Sequence, residues 1–138
     1  MERVRFGAVH AMRYGDAVME HFLRPRHVGV MNSSDADVGT GEAGSYQTGA
    51  LIRIQLKVSE QGQIQESCFK AYGCGCTIAA ASFAAQWLQD RSLEQAAQFS
   101  STDVQQALEL PPVKVHCALL VQEAVQAAVA SVQNKGAF

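Results

Sequence analysis

From Ala50 to Val58 the chain alternates with a period of two: Ile52, Ile54, Leu56 and Val58 point one way, Arg53, Gln55 and Lys57 the other. That is the pattern of a strand with one buried face. Glu60-Gln61-Gly62 supplies a turn, and residues 63–72 return as the second strand of a hairpin. With Phe69 and Ala71 turned to the core, Cys68 faces outward, a surface or half-buried thiol without a ligand role. Ahead of the hairpin, residues 29–49 are rich in Gly, Ser, Asn and Asp and form a long loop. Loops of that length in small domains are unusual and often functional. A third, short strand is expected near residues 45–48.

Elsewhere the period is helical. Residues 16–23 carry apolar positions at helical spacing with Asp16 as N-cap, and Pro25 stops them. Residues 77–89 set Ile78, Ala81, Ala84, Ala85 and Leu88 on one face, with Phe83 and Trp87 paired at i,i+4. Ser92-Leu-Glu-Gln95 spells a capping box for a short helix, and Thr102-Asp-Val-Gln105 starts another. After Pro111-Pro112 a last helix spans residues 113–133, with Val121, Val125, Ala128, Val129 and Val132 inward. Strands first and helices after predict an α+β fold: a small antiparallel sheet of about three strands with the helices packed on one side. Residues 14–133 form one domain, residues 1–13 a loose extension in which Met12 is an alternative start, and residues 134–138 a tail.

With 138 residues, 48% hydrophobic and 17% charged, the chain is an ordinary globular domain with enough material for a core. Its net charge of −2, with lysines and arginines scattered, excludes a nucleic-acid binder. No run of eighteen apolar residues suggests a membrane span, and the N-terminus lacks the apolar region of a secretory signal. The expected compartment is therefore a reducing cytoplasm, where clustered cysteines serve metal or redox chemistry more often than disulfides.

Two clusters hold that chemistry: Gly73-Cys74-Gly75-Cys76-Thr77 and His116-Cys117. Cys74 and Cys76 fall at a strand-to-helix junction, where free N–H groups and the helix dipole favour thiolates. Gly73 and Gly75 leave room beside them for an ion or inorganic cluster. Sulfur with imidazole suits zinc or iron. Adjacent helical residues diverge by about 100°, so His116 and Cys117 serve a multi-metal cluster more readily than one ion. His10, His21 and His27 are left as solvent or packing residues. No nucleophile–base or carboxylate pair points to a hydrolytic enzyme.

The same residues resemble the iron–sulfur cluster scaffold proteins of the IscU type, also called NifU-like. The likeness rests on Tyr72-Gly-Cys-Gly-Cys-Thr-Ile-Ala-Ala-Ala-Ser and on Leu110-Pro-Pro-Val-Lys-Val-His-Cys117, and extends from Met12 to Ala130. Tyr14 to Gly29, Val38-Gly-Thr-Gly41 and Ile54-Gln-Leu-Lys-Val58 fit the family's N-terminal helix, loop and first long strand. The resemblance implies a non-enzymatic scaffold or carrier. It would build a [2Fe-2S] cluster from iron and from sulfur delivered by a cysteine desulfurase, and pass it to apo iron–sulfur client proteins. It implies Cys74, His116 and Cys117 as cluster ligands, and Leu110, Pro111, Pro112, Val113 and Lys114 as the site of an Hsp70-type chaperone with a J-type co-chaperone. The two prolines would keep that segment extended and exposed. A homo-oligomer is compatible with it.

One departure stands out. Thr48-Gly49-Ala50 occupies the place of the family's Cys-Gly-Asp, so the first cysteine and the aspartate are missing, whereas Cys76 stands where many members carry serine. Cys76 is then the extra ligand, either for a cluster or for a zinc ion held with Cys74, His116 and Cys117. Loss of the aspartate is expected to slow release of a bound cluster. The alternative is a divergent paralogue that binds zinc or no metal and regulates the assembly machinery through the chaperone or desulfurase. A minor third reading is an acceptor of desulfurase sulfur.

Overall fold

The computed structural model describes residues 15–136. The expected extension over residues 1–13 lies outside them. An eight-residue helix α1 (Asp16–Leu23) precedes three strands, β1 (Val38–Ser45), β2 (Ala50–Val58) and β3 (Ile64–Tyr72). Then follow α2 (Gly75–Leu88), α3 (Leu93–Ala97), α4 (Ser101–Leu108), a 3₁₀ turn (Pro112–Lys114) and α5 (Val115–Asn134). The strands form one antiparallel sheet in the order β1-β2-β3. Helices α2 and α5 pack on one face of it, with α1 against α2 and α4 against α5. This is the expected α+β layout.

The middle strand is as its alternation requires: Ile52, Ile54 and Leu56 are fully buried under α2 and α5. Small residues let α2 sit close, with Ala79, Ala80, Ala81, Ala84 and Ala85 all inaccessible. Phe99 fills the gap beside them, edge-on to Trp87 with ring centres 4.9 Å apart. Ser92 and Gln95 make both halves of the expected capping box. At α4 the cap is Ser100 with Asp103, two residues earlier than the Thr102 start implied. Gly15, not Asp16, caps α1, and Asp16 is its acidic first-turn residue.

Two expectations fail, each for a packing reason. The third strand is not at residues 45–48, of which only Ser45 is strand and 46–48 turn, but at Val38–Ser45, within the stretch that composition marks as loop. Its glycines are there because α5 lies directly on β1. A Cβ on Gly39 would strike the carbonyl of Ala128, and one on Gly41 the carbonyl of Ala124. Second, Gln55 and Cys68 do occupy the face away from the helices but are buried, 1% and 7% exposed. The segment from His27 to Met31 covers them. Val28 pairs in parallel with Phe69 on the outer edge of β3. The Gln55 amide takes the Met31 N–H at 2.8 Å and gives to the Met31 carbonyl at 2.9 Å and Thr40 Oγ1 at 3.0 Å. Residues Pro112–Asn134 are long and apolar enough to cross a bilayer by length and composition alone, a test that the core helix of a globular domain also passes. In the fold their apolar stripe, Val121 to Val132, is buried against β1 and α2.

Candidate functional site

Three segment ends meet at one end of the sheet. Tyr72 closes β3 opposite Leu51, which sets the tip of the β1–β2 hairpin beside the Gly73-Cys74 link into α2. The rings of Tyr46, in that tip, and Tyr72 meet edge to face at 5.0 Å. Leu120, one turn into α5, lies against Gly44 of the same hairpin. The first turns of α2 and α5 therefore open towards the same place. Gly73 permits the sharp entry: its φ of +149° is one that L side chains rarely adopt, and a Cβ there would press on the Thr77 side chain at 3.0 Å.

The two cysteine clusters, forty residues apart in sequence, are joined through Thr77. Its Oγ1 is 3.5 Å from Cys74 Sγ and 3.5 Å from Cys117 Sγ. Cys117 Sγ is in turn 3.6 Å from His116 Nε2, and Lys114 Nζ is 3.8 Å from Cys74 Sγ. Cys74, Thr77, Cys117 and His116 thus form one chain of polar contacts, from a half-buried thiol to an exposed imidazole. Cys74, His116 and Cys117, expected to share a site, lie close together within this chain of contacts. Thr77 and Lys114 as neighbours of the sulfurs escaped the sequence reading, although Thr77 stands three residues beyond Cys74, the spacing at which a helix cap meets its first turn.

The thiols differ in acidity for stated reasons. Burial raises Cys74, but the Thr77 hydroxyl, the Thr77 and Cys76 N–H groups and the Lys114 ammonium together outweigh it, so its pKa falls below the ordinary thiol value. Cys117 is pushed up, by burial first and by the charge of Cys74, against the Thr77 hydroxyl and Lys114. Cys76 goes up to about 11, again through burial and then the charges of Cys117 and Cys74. It is wholly buried within the hydrophobic core. Cys68 is raised by burial and by Glu66. All four cysteines are free thiols.

Metal-free protein should therefore alkylate first at Cys74. A thiol held below its ordinary pKa keeps its thiolate as the pH falls, so Cys74 labelling with iodoacetamide should persist at pH values where ordinary thiols are silent. Peptide mass spectrometry should find Cys68, Cys76 and Cys117 at least about tenfold slower. Fast labelling of Cys76 would contradict the site as described.

Other expected elements lie as follows. Thr48 is exposed at the hairpin tip. Its hydroxyl donates to the Ser45 carbonyl at 2.9 Å, while the Ser45 hydroxyl receives the Thr48 N–H at 3.2 Å. It serves its own turn. Ala50 faces Ser45 across the hairpin. The segment Leu110–Lys114 is not extended throughout: Pro111 is extended, but residues 112–114 close a 3₁₀ turn that leaves Val113 74% exposed and Leu110 packed on the core. A proline at the first turn forfeits no hydrogen bond, so the second proline starts the helix it was expected to delay. His21 Nδ1 lies 2.8 Å from Ser82 Oγ, and His27 Nδ1 lies 3.1 Å from the Ser67 carbonyl, both packing roles.

Among the described residues no three His, Cys, Asp or Glu side chains are close enough together to hold a metal ion as they stand. The donor set is nonetheless chemically suited to iron or zinc: two sulfurs around one hydroxyl, an imidazole beside the second, and a third thiol beneath.

Comparison with known proteins agrees with this picture. The family described as the NifU-like N-terminal domain matches residues 13–137. The iron–sulfur cluster assembly scaffold protein IscU of Azotobacter vinelandii is 44% identical over 124 residues, 90% of this chain and 97% of that protein. IscU of Escherichia coli K12 is 40% identical over the same shares of the two chains. The crystal structure of a NifU-like protein (N-terminal) from Brucella abortus superposes with a TM-score of 0.68 at 16% identity, covering 93% of this chain and 99% of that one. That last likeness concerns the fold.

Proposed function

The chain belongs to the NifU-like N-terminal domain family, and from that premise we propose that it is an iron–sulfur cluster assembly scaffold rather than an enzyme, with residues 14–133 as the single domain that does the work. The observation that carries this reading is the meeting of Cys74 and Cys117 around the Thr77 hydroxyl with His116 alongside. The cluster is cargo, and [2Fe-2S] is the form for which two thiolates and an imidazole from separate helix starts are suited. Zinc is the competing occupant of the same donors.

Cys74 takes the first role. It is the accessible, acidified thiol, so it is the one ready to meet ferrous iron or desulfurase sulfur. Cys117 and His116 follow as the second and third donors, with the proton of Cys117 leaving as iron arrives. Cys76 is the extra ligand of the proposed set, and it must leave the core to act. Ala50 in place of the aspartate takes a negative charge from the hairpin tip, which supports slower release of a bound cluster, while Thr48 in place of the cysteine leaves the tip without a strong donor. Leu110, Pro111, Pro112, Val113 and Lys114 are proposed as the chaperone site, with Val113 as the side chain most available to a groove. A cysteine desulfurase and apo clients complete the cycle, in the reducing cytoplasm that free thiols favour.

Anaerobic reconstitution with ferrous iron and sulfide tests the reading. Native protein should develop visible charge-transfer absorption and retain iron and acid-labile sulfide. Cys74→Ser and Cys117→Ser should each abolish both. A colourless native product binding zinc but no iron would remove the scaffold reading. It would favour the regulatory paralogue that Thr48 and Ala50 motivate.

A further inference from the structure

Thr77 is 1% exposed, in the first turn of α2, and no part of the donor set itself. Its hydroxyl is nonetheless equidistant from two sulfurs that belong to different helices. A hydroxyl offers one proton and two lone pairs. Between a thiol and a thiolate it can accept S–H from one and donate O–H to the other, joining them into one hydrogen-bonded unit. The backbone crowds it there: a Cβ on Gly73 would lie 3.0–3.1 Å from the Thr77 methyl and hydroxyl, so the Gly73 link packs closely over them. That close packing restricts the space into which the Thr77 side chain could turn from the sulfurs.

We propose that Thr77 is a positioning residue of the sulfur site: its hydroxyl ties Cys74 Sγ and Cys117 Sγ together in the empty protein and donates an O–H···S bond to a ligand sulfur once a cluster is held, setting the ease with which that cluster is reduced. The second half rests on the scaffold reading; the first does not. Hydrogen bonds to ligand sulfurs are among the terms that set iron–sulfur potentials. They take negative charge off the sulfur, and the reduced cluster carries one more negative charge than the oxidised one. Removing the donor therefore disfavours reduction.

The test uses the full chain with Thr77→Val, which keeps the shape and removes the hydroxyl, and Thr77→Ser, which restores the hydroxyl. In metal-free protein the S–H stretching band of Cys117, assigned by its loss in Cys117→Ser, should move to higher wavenumber in Thr77→Val and return in Thr77→Ser. In anaerobically reconstituted protein at a fixed potential, Thr77→Val should hold about three- to tenfold less reduced cluster, a shift of about 30–60 mV since 59 mV is a decade for one electron. Thr77→Ser should match the native protein. An unmoved S–H band overturns the pairing of the sulfurs. A moved band with an unchanged potential overturns the role towards the cluster. A native protein that binds no cluster overturns the scaffold reading and that second role with it, and the S–H band still decides the first.

Discussion

Thr48→Cys is expected to raise the half-time for loss of a reconstituted cluster to a chelator at least about tenfold, since outer partners of metal ligands alone change affinity by about 10–100-fold and a thiolate gained as a ligand is worth no less. The reason lies in how the hairpin tip is placed. Leu51 pairs with Tyr72, so the tip runs beside the residue pair that leads into Cys74. The rings of Tyr46 and Tyr72 hold that neighbourhood together. What the tip now presents is a hydroxyl that stays protonated near neutral pH and is occupied by the Ser45 carbonyl. A cysteine there would be exposed and free to ionise. The substitution loses the paired hydroxyls of Ser45 and Thr48, an exposed turn contact of about 1 kcal/mol, so the melting temperature should fall by only a few degrees. Chelator kinetics followed by the charge-transfer band, beside a thermal melt, give both numbers. If the variant is folded and loses its cluster as fast as the native protein, the hairpin tip does not reach the cargo.

What the sequence disclosed depended on whether a residue's role was local. The alternation of Ile52, Ile54 and Leu56 and the Ser92–Gln95 box are patterns within one element, and both are realised as written. The chemistry-bearing residues were also legible, because cysteines flanked by glycine and an adjacent His-Cys pair are rare combinations. Roles set by a distant segment were not. Gln55 looks like a solvent-facing residue until Met31 lies across it, and Cys68 an outward thiol until Gly29 does. Residues Val38–Ser45 look like loop because what their glycines match, the main chain of α5, is some ninety residues away. The part of Thr77 was hidden for the same reason. Only the joint placement of two helix starts makes a threonine after a cysteine into a bridge to Cys117. The double proline misled more simply: it stiffens Pro111 into extended backbone, yet Pro112 suits the first turn of a helix as well as any residue does.

The close contact of α5 with β1 is what aims His116 and Cys117 at Cys74, and Gly41→Val is expected to break it. A side chain on Gly41 would meet the carbonyl of Ala124, the N–H of Ala128 and, at 2.8 Å, the carbonyl carbon of Ala127. These are main-chain atoms of a regular helix, so no rotamer change relieves the clash. The strand and helix must part instead. Parting also loosens the bond from the Thr40 N–H to Ser131 Oγ, 3.1 Å long, and uncovers part of the stripe from Val121 to Val132. Overpacking a core typically costs about 1–3 kcal/mol. With rigid backbone on the receiving side the upper figure is the floor, so the loss should be about 3 kcal/mol or more from a total of about 5–15 kcal/mol. Gly49→Ala is the matched control. Gly49 sits at φ +87° with nothing within 4 Å of an added Cβ, so only its backbone conformation objects, at about 1 kcal/mol. Urea unfolding of the two variants should separate them by a clear gap in midpoint, and Gly41→Val should also lose the selective labelling of Cys74, because Cys117 would no longer be sealed behind Thr77. Equal midpoints for the two would mean that β1 and α5 have slack between them, and the alignment of the two helix starts would then need another cause.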